Sequence, residues 1–196
     1  DLPEMNPIQA HAENVSDTML STSIGDSSMQ VATVEHLMAA LWGMGIDNII
    51  IELSAPEVPI LDGSAAPFMD LIVSAGIVEQ KGRKQFIRIK REVRVTQGDG
   101  HASLKPYAGF KGSYTFVSNH RAYASFPKSV SLDFSSVSFV ESVGGARSFG
   151  LMEELSQAQA INKCLGSSLE NAVGVTVDGV VNPEGLRFDD EFVRHK

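Results

Sequence analysis

From Val34 to Trp42 the apolar residues Val34, Leu37, Met38, Leu41 and Trp42 recur at helical spacing, and Gly43 and Gly45 close the run. This commits the chain to an amphipathic helix, with Thr33 expected as its N-cap. A helix with one apolar face has to bury it against a second layer, so the segments around it must supply one. The period changes immediately afterwards. Ile49-Ile50-Ile51-Glu52-Leu53 is short and β-branched, is bounded by Asp47-Asn48 and Pro56, and predicts a buried strand. A loop stiffened by Pro56 and Pro59 follows, and Pro67 suits the first turn of a second helix running through Phe68, Leu71 and Ile72 to a stop at Gly76.

Gln80-Lys81-Gly82-Arg83-Lys84 is short, basic and free of large apolar side chains, which marks it as a linker between domains spanning residues 1–80 and 81–196. Beyond it, strands are expected at Phe86–Arg91, Val93–Val95, Ser113–Val117 and Val130–Phe134, with a turn at Gly98-Asp99-Gly100. A helix is expected from Phe149 to Ile161, capped by Asn162, and a hairpin where Val173–Val177 and Val180-Val181 flank Asp178-Gly179. Strands followed by helices in both halves, with antiparallel hairpins, predict an α+β fold of two-layer domains and not a doubly wound parallel sheet.

The 196 residues and their 43% hydrophobic content suffice for two small cores and exclude a disordered chain. One cysteine, Cys164, excludes an internal disulfide framework or a thiolate-only zinc site, and beside Leu165 it reads as a small buried hydrophobe. A reducing, cytoplasmic location is expected, because the apolar runs fall far short of a membrane span and no leader opens the chain. A net charge of −8 argues against non-specific nucleic-acid binding, and the protein is expected to be a monomer. Both ends look cut. The first residue is Asp1, and Asp189 to Lys196 reads as a helix start with no closing residue, so a fragment of a longer product is expected.

Of five histidines, His36 and His195 stand in suggestive settings. His36 follows Glu35 in the first turn of the first helix, beneath a stripe formed by Ala39, Ala40 and Gly43 that would let a ligand approach the backbone. From these two residues alone the ordinary explanation is favoured: a carboxylate answering the helix dipole and a hydrogen-bonded surface histidine. Ala40 occupies the place of a second zincin histidine, so any metal must draw ligands from elsewhere, and His195 is the natural candidate. There is no phosphate loop, dinucleotide fingerprint or nucleophile elbow.

Several long segments, in order, carry a resemblance. They are Thr33-Val34-Glu35-His36-Leu37 with Ala39-Ala40-Leu41; Gly45-Ile46-Asp47-Asn48; and Pro59-Ile60-Leu61-Asp62-Gly63-Ser64-Ala65-Ala66-Pro67-Phe68. Later come Ala146-Arg147-Ser148-Phe149-Gly150, Gly166-Ser167-Ser168-Leu169-Glu170-Asn171-Ala172, Gly185-Leu186-Arg187-Phe188 and Asp190-Glu191-Phe192-Val193-Arg194-His195-Lys196. From about Asp17 to its end the chain resembles the UDP-3-O-acyl-N-acetylglucosamine deacetylase (LpxC) family of lipid A biosynthesis. The resemblance implies two α+β sandwich domains whose helical layers face each other, incomplete here at both ends. It implies Zn2+ held by His36 and His195, with Glu35 as general base towards a metal-bound water. Ser148, where the family commonly has threonine, would steady the oxyanion, and Phe149 and Lys196 would contact the UDP-linked acylated aminosugar.

The same resemblance places a third ligand, an aspartate, and a later catalytic histidine beyond Lys196, and the family's opening strands before Asp1. The isolated 196-residue piece is therefore expected to be inactive and to hold zinc weakly. Asp62 is expected to be structural. Ser167 stands where the family has glycine, Gly100 where a substrate-binding lysine is common, and Arg121 where proline usually follows the histidine. A zinc amidohydrolase for another acyl-amine, or a non-catalytic UDP-sugar-binding module, are the competing readings.

Overall fold

The computed structural model describes residues 7–160 and 164–196. Asn162, the expected helix cap, lies outside the described residues. The chain is α+β, with five helices and four small sheets among the described residues. No helix in them is long and apolar enough to cross a membrane.

Strands β1 (Val15–Asp17), β2 (Ser23–Gly25) and β3 (Gln30–Val31) form an antiparallel meander that leads into α1 (Glu35–Gly43). Thr33 does not cap this helix. Its backbone takes φ 60°, and its hydroxyl donates to Glu57 Oε1 at 2.7 Å, beside the Ala32–Glu57 bridge that ties the helix entry to the following loop. At the other end Gly45 adopts φ 70°, while Ile46 N–H reaches Leu41 O at 2.9 Å and Gly45 N–H reaches Trp42 O at 3.0 Å. These two bonds satisfy the last carbonyls, which is why the helix stops at the glycine and not earlier.

Helix α2 (Ala66–Ala75) carries Pro67 in its first turn and ends at Gly76 with φ 85°, as its sequence predicts. Val34, Ala40, Val58, Ala65, Phe68 and Met69 pack between α1 and α2 as one buried cluster. Ile49–Leu53 is not the expected buried strand. No described strand pairs with it, and Ile50 is 89% exposed. Phe86–Arg91 likewise has no strand partner among the described residues. β-Branched composition records a preference for a pleated, half-buried surface, but a strand exists only where a neighbour completes its ladder.

The hairpin β4 (Val93–Gln97) with β5 (Gly100–Leu104) turns at Gly98-Asp99, and β6 (Lys111–Thr115) pairs with β7 (Ser129–Asp133), both antiparallel. Helix α3 (Phe139–Ser142) sets Phe139 against the first cluster. The expected helix from Phe149 begins later than its pattern indicates. Phe149–Leu151 is β8, and only then does α4 (Met152–Ala160) start. Strand β8 runs parallel to β9 (Val173–Thr176), with α4 in the crossover, and β10 (Gly179–Val180) closes the predicted hairpin. A parallel pair can hide a strand inside a helical pattern because a short buried strand is apolar on both faces. Leu151, Val173 and Val175 join Ala122, Tyr123 and Phe192 in a second buried cluster. Phe192 belongs to α5 (Glu191–His195).

Gly63 ties the loop before α2 to the residues that lead into β8 and β9. Its φ is +81°, its carbonyl accepts Ser148 N–H at 2.7 Å, and a Cβ here would lie 2.0 Å from the Asn171 carbonyl oxygen. Strain at positive φ and the backbone collision act together, so Gly63→Ala is expected to destabilise the protein by about 2–5 kcal/mol. Urea denaturation of the two proteins checks this, and an unchanged midpoint would contradict it.

Candidate functional site

The first turn of α1 and the last turn of α5 come together with the start of β8. His36 is buried on α1, His195 ends α5, and their ring centroids lie 5.2 Å apart at an interplanar angle of 66°. Ser148 Oγ lies between them, 3.3 Å from each Nε2. Three residues separated in sequence by 112 and 47 positions thus meet at one hydroxyl.

His195 Nδ1 is 3.0 Å from the Ala146 carbonyl oxygen. A carbonyl only accepts, so Nδ1 carries the proton and Nε2 turns its lone pair towards Ser148 and His36. Removal from water is the main cause that pushes His195 down to about 4; the Ala146 carbonyl opposes this, and Lys196, with His36 whenever that ring is protonated, adds to it. Desolvation also lowers His36, against the carboxylates of Glu35 and Asp62. Both imidazoles are therefore neutral near pH 7. His36 Nδ1 is buried with no hydrogen-bond partner among the described residues.

Glu35 is half-buried, and its Oε1 accepts the backbone N–H of Thr22. Phe149 stands edge-on to His195 with centroids 6.2 Å apart, and Lys196 Nζ lies 5.4 Å over the Phe149 ring. Glu35, His36, Ser148, Phe149, His195 and Lys196, the six residues singled out in the sequence, all line one cleft of about 1600 Å³.

The donor set suits a metal of zinc's borderline character: two neutral imidazoles converge through Nε2, and one is oriented by a carbonyl on its other nitrogen. Among the described residues no group of three His, Cys, Asp or Glu side chains could hold a metal, so the protein donors present are the two histidines. Cys164 is exposed and not the expected buried hydrophobe; its φ of 54° puts it in a turn conformation. Ser167 has no positive φ, so serine in place of glycine carries no backbone strain there.

Some of the contacts that hold the site escaped sequence reasoning. Asp62 is structural, as expected: Oδ1 accepts Ser64 N–H and Oγ–H at 2.9 and 2.8 Å, and Oδ2 accepts Arg187 Nη1 at 2.8 Å. Burial pushes its carboxyl up, but the Arg187 and Ser64 donors outweigh this and hold it below the usual carboxylate range. Arg147 and Glu191 form a buried ion pair at 2.9 Å. His120 also faces the cleft and pairs with Glu153 Oε1 at 3.1 Å. No local spacing announces these contacts, since 125 residues separate Asp62 from Arg187 and 44 separate Arg147 from Glu191.

The low value of His195 has a consequence for stability. Folding keeps this imidazole neutral while the unfolded chain binds a proton below about 6.5, so the stabilising difference is complete above that pH and is lost as pH falls towards 4. Metal-free protein is expected to show a urea midpoint lower at about pH 5 than at about pH 7.5. A flat profile over that interval would contradict the assignment.

Fold and site together define an α+β protein with a paired-histidine cleft. Over residues 1–196 the chain matches the family described as LpxC, UDP-3-O-acyl N-acetylglycosamine deacetylase, and it belongs to that family. It is 50% identical over 196 residues to the UDP-3-O-acyl-N-acetylglucosamine deacetylase of Marinobacter nauticus, covering all of this chain and 64% of that protein. With the deacetylase of the same name from Hahella chejuensis it is 49% identical, covering all of this chain and 65% of the relative. The chain thus spans just under two thirds of the length of these relatives.

Proposed function

We propose that the full-length gene product is a zinc-dependent hydrolase, acting in the cytoplasm, that removes the N-acetyl group from UDP-3-O-acyl-N-acetylglucosamine. The observation that carries this reading is the convergence of His36, His195 and Ser148 on one point of a cleft that Glu35 also lines, in a chain of the LpxC family. His36 and His195 would hold the metal through Nε2. When bound, zinc would supply Lewis-acid polarisation and lower the pKa of water.

The chain's own residues do the rest. Glu35 takes a proton from the attacking water; one of its oxygens is anchored by Thr22 N–H, which leaves the other free for that transfer. The Ser148 hydroxyl has one proton to give, and with both Nε2 lone pairs engaged by a bound metal that proton would be free to go to the oxyanion that develops on the acetyl oxygen. Phe149 offers an apolar face to the sugar, and Lys196, exposed at the cleft edge, meets the diphosphate as a point charge. Leu155, Leu165 and Leu169 supply apolar lining.

The test is release of acetate and a free amine from UDP-3-O-acyl-N-acetylglucosamine by the full-length gene product, abolished by chelation and restored by zinc. Acetate release indifferent to chelation would remove the metal from the account. No release at all would remove the activity.

A further inference from the structure

We propose that the buried Arg147–Glu191 pair is a positioning device, fixing Ser148 Oγ against His195 Nε2 before any ligand enters the cleft. Arg147 is 3% exposed and Glu191 fully buried. Burying two charges costs nearly what their attraction returns, so stability alone is a poor account of such a pair. Its connections point to alignment.

Glu191 uses both oxygens. Oε1 accepts Arg147 N–H at 3.0 Å and Nε–H at 2.9 Å, and Oε2 accepts Arg147 Nη2 at 3.2 Å and Arg187 N–H at 2.6 Å. The carboxylate therefore grips the backbone of the residue directly before Ser148. Glu191 also lies four residues before His195 on α5, so both side chains leave the same face of that helix. Ala146, Arg147 and Ser148 consequently touch α5 in succession: Ala146 O at His195 Nδ1, Arg147 at Glu191, and Ser148 Oγ at His195 Nε2.

The other side of the tripeptide is fixed as well. Ser148 donates its N–H to Gly63 O and accepts Val173 N–H at its carbonyl, both at 2.7 Å. The rest of the guanidinium is satisfied by Glu184 Oε1 and Gly185 O, each at 2.7 Å. With its fork committed on all these sides, Arg147 cannot shift without moving the peptide that presents Ser148. Arg147 and Glu191 touch no reacting atom in this scheme; they act through Ser148 and His195.

The kinetic consequence rests on the deacetylase reading, but the structural one does not, because the His195 Nδ1–H can be observed by imidazole NMR in metal-free protein. In the full-length gene product, Glu191→Gln is expected to fold, to lose or shift the hydrogen-bonded Nδ1–H resonance, and to bind Co2+ about 10–100-fold more weakly. Its kcat should fall while KM stays within about twofold. If the parent releases no acetate, the functional reading fails, and the NMR and cobalt arms still decide the positioning role.

Arg147→Lys keeps the charge but gives up the two-pronged grip, so the same losses are expected in it. A folded Glu191→Gln or Arg147→Lys protein with the Nδ1–H signal in place and cobalt affinity within about twofold of the parent would overturn the proposal. Failure of both variants to fold would also overturn it, in favour of a purely structural pair.

Discussion

Glu35→Gln is expected to lower kcat by about 10²–10⁴-fold in the full-length gene product while leaving its zinc content unchanged. Glutamine keeps the shape of the side chain and an oxygen that can still accept Thr22 N–H, so the first turn of α1 and the neighbouring His36 stay in place. What disappears is the capacity to take a proton. A loss in kcat with KM and metal content preserved is the signature of a base acting in the transition state. Turnover assays and elemental analysis of the same preparation check it. Unchanged turnover would remove Glu35 from the proton transfer, and zinc lost together with rate would assign it to holding the site.

His195→Ala is expected to empty the metal site and to reduce kcat/KM by well over about 100-fold. The lower bound follows from the cost of disturbing only the hydrogen-bond partners of a metal-bound histidine, which is about 10–100-fold. Removing the imidazole takes away a donor outright, and it leaves the Ala146 carbonyl and the Ser148 hydroxyl without the ring that ties them together. His36→Ala should match it in zinc content. The α5 helix should survive, since Phe192 and Val193, which anchor it in the interior, are untouched. Zinc content and activity measured side by side give the answer, and a His195→Ala protein with full zinc would move the metal to other residues.

The legible part of this protein is what short-range pattern encodes. The α1 periodicity, the Pro67 start and Gly76 stop of α2, and the β9–β10 hairpin are each decided within about ten residues and are found in the structure, although the hairpin turns at Val177-Asp178, one residue before the expected Asp178-Gly179. Thr33 misleads because a hydroxyl before a helix usually caps it, whereas here a long-range partner, Glu57, claims that hydroxyl. Ile49–Leu53 and Phe86–Arg91 have the composition of strands but no partner among the described residues, and pairing is not a local property. Phe149–Leu151 was hidden by the helix that follows it.

The candidate site was legible unevenly. Residue type and spacing alone left Glu35 and His36 as ordinary surface groups, and the longer motifs singled out all six cleft residues. The structure then brings them onto one cleft. The supports were not legible. Nothing near Ser148 indicates that Glu191 holds its preceding peptide or that Gly63 accepts its N–H, because those partners arrive from elements far along the chain.

The central claim is that His36 and His195, brought together from helices α1 and α5, share one zinc ion through their Nε2 atoms. Anomalous diffraction at the zinc edge on crystals of the full-length gene product tests it most directly. The account predicts a single strong peak within about 2.0–2.1 Å of both Nε2 atoms. A stoichiometric zinc peak elsewhere, with the two imidazoles bridged only by Ser148, would contradict it.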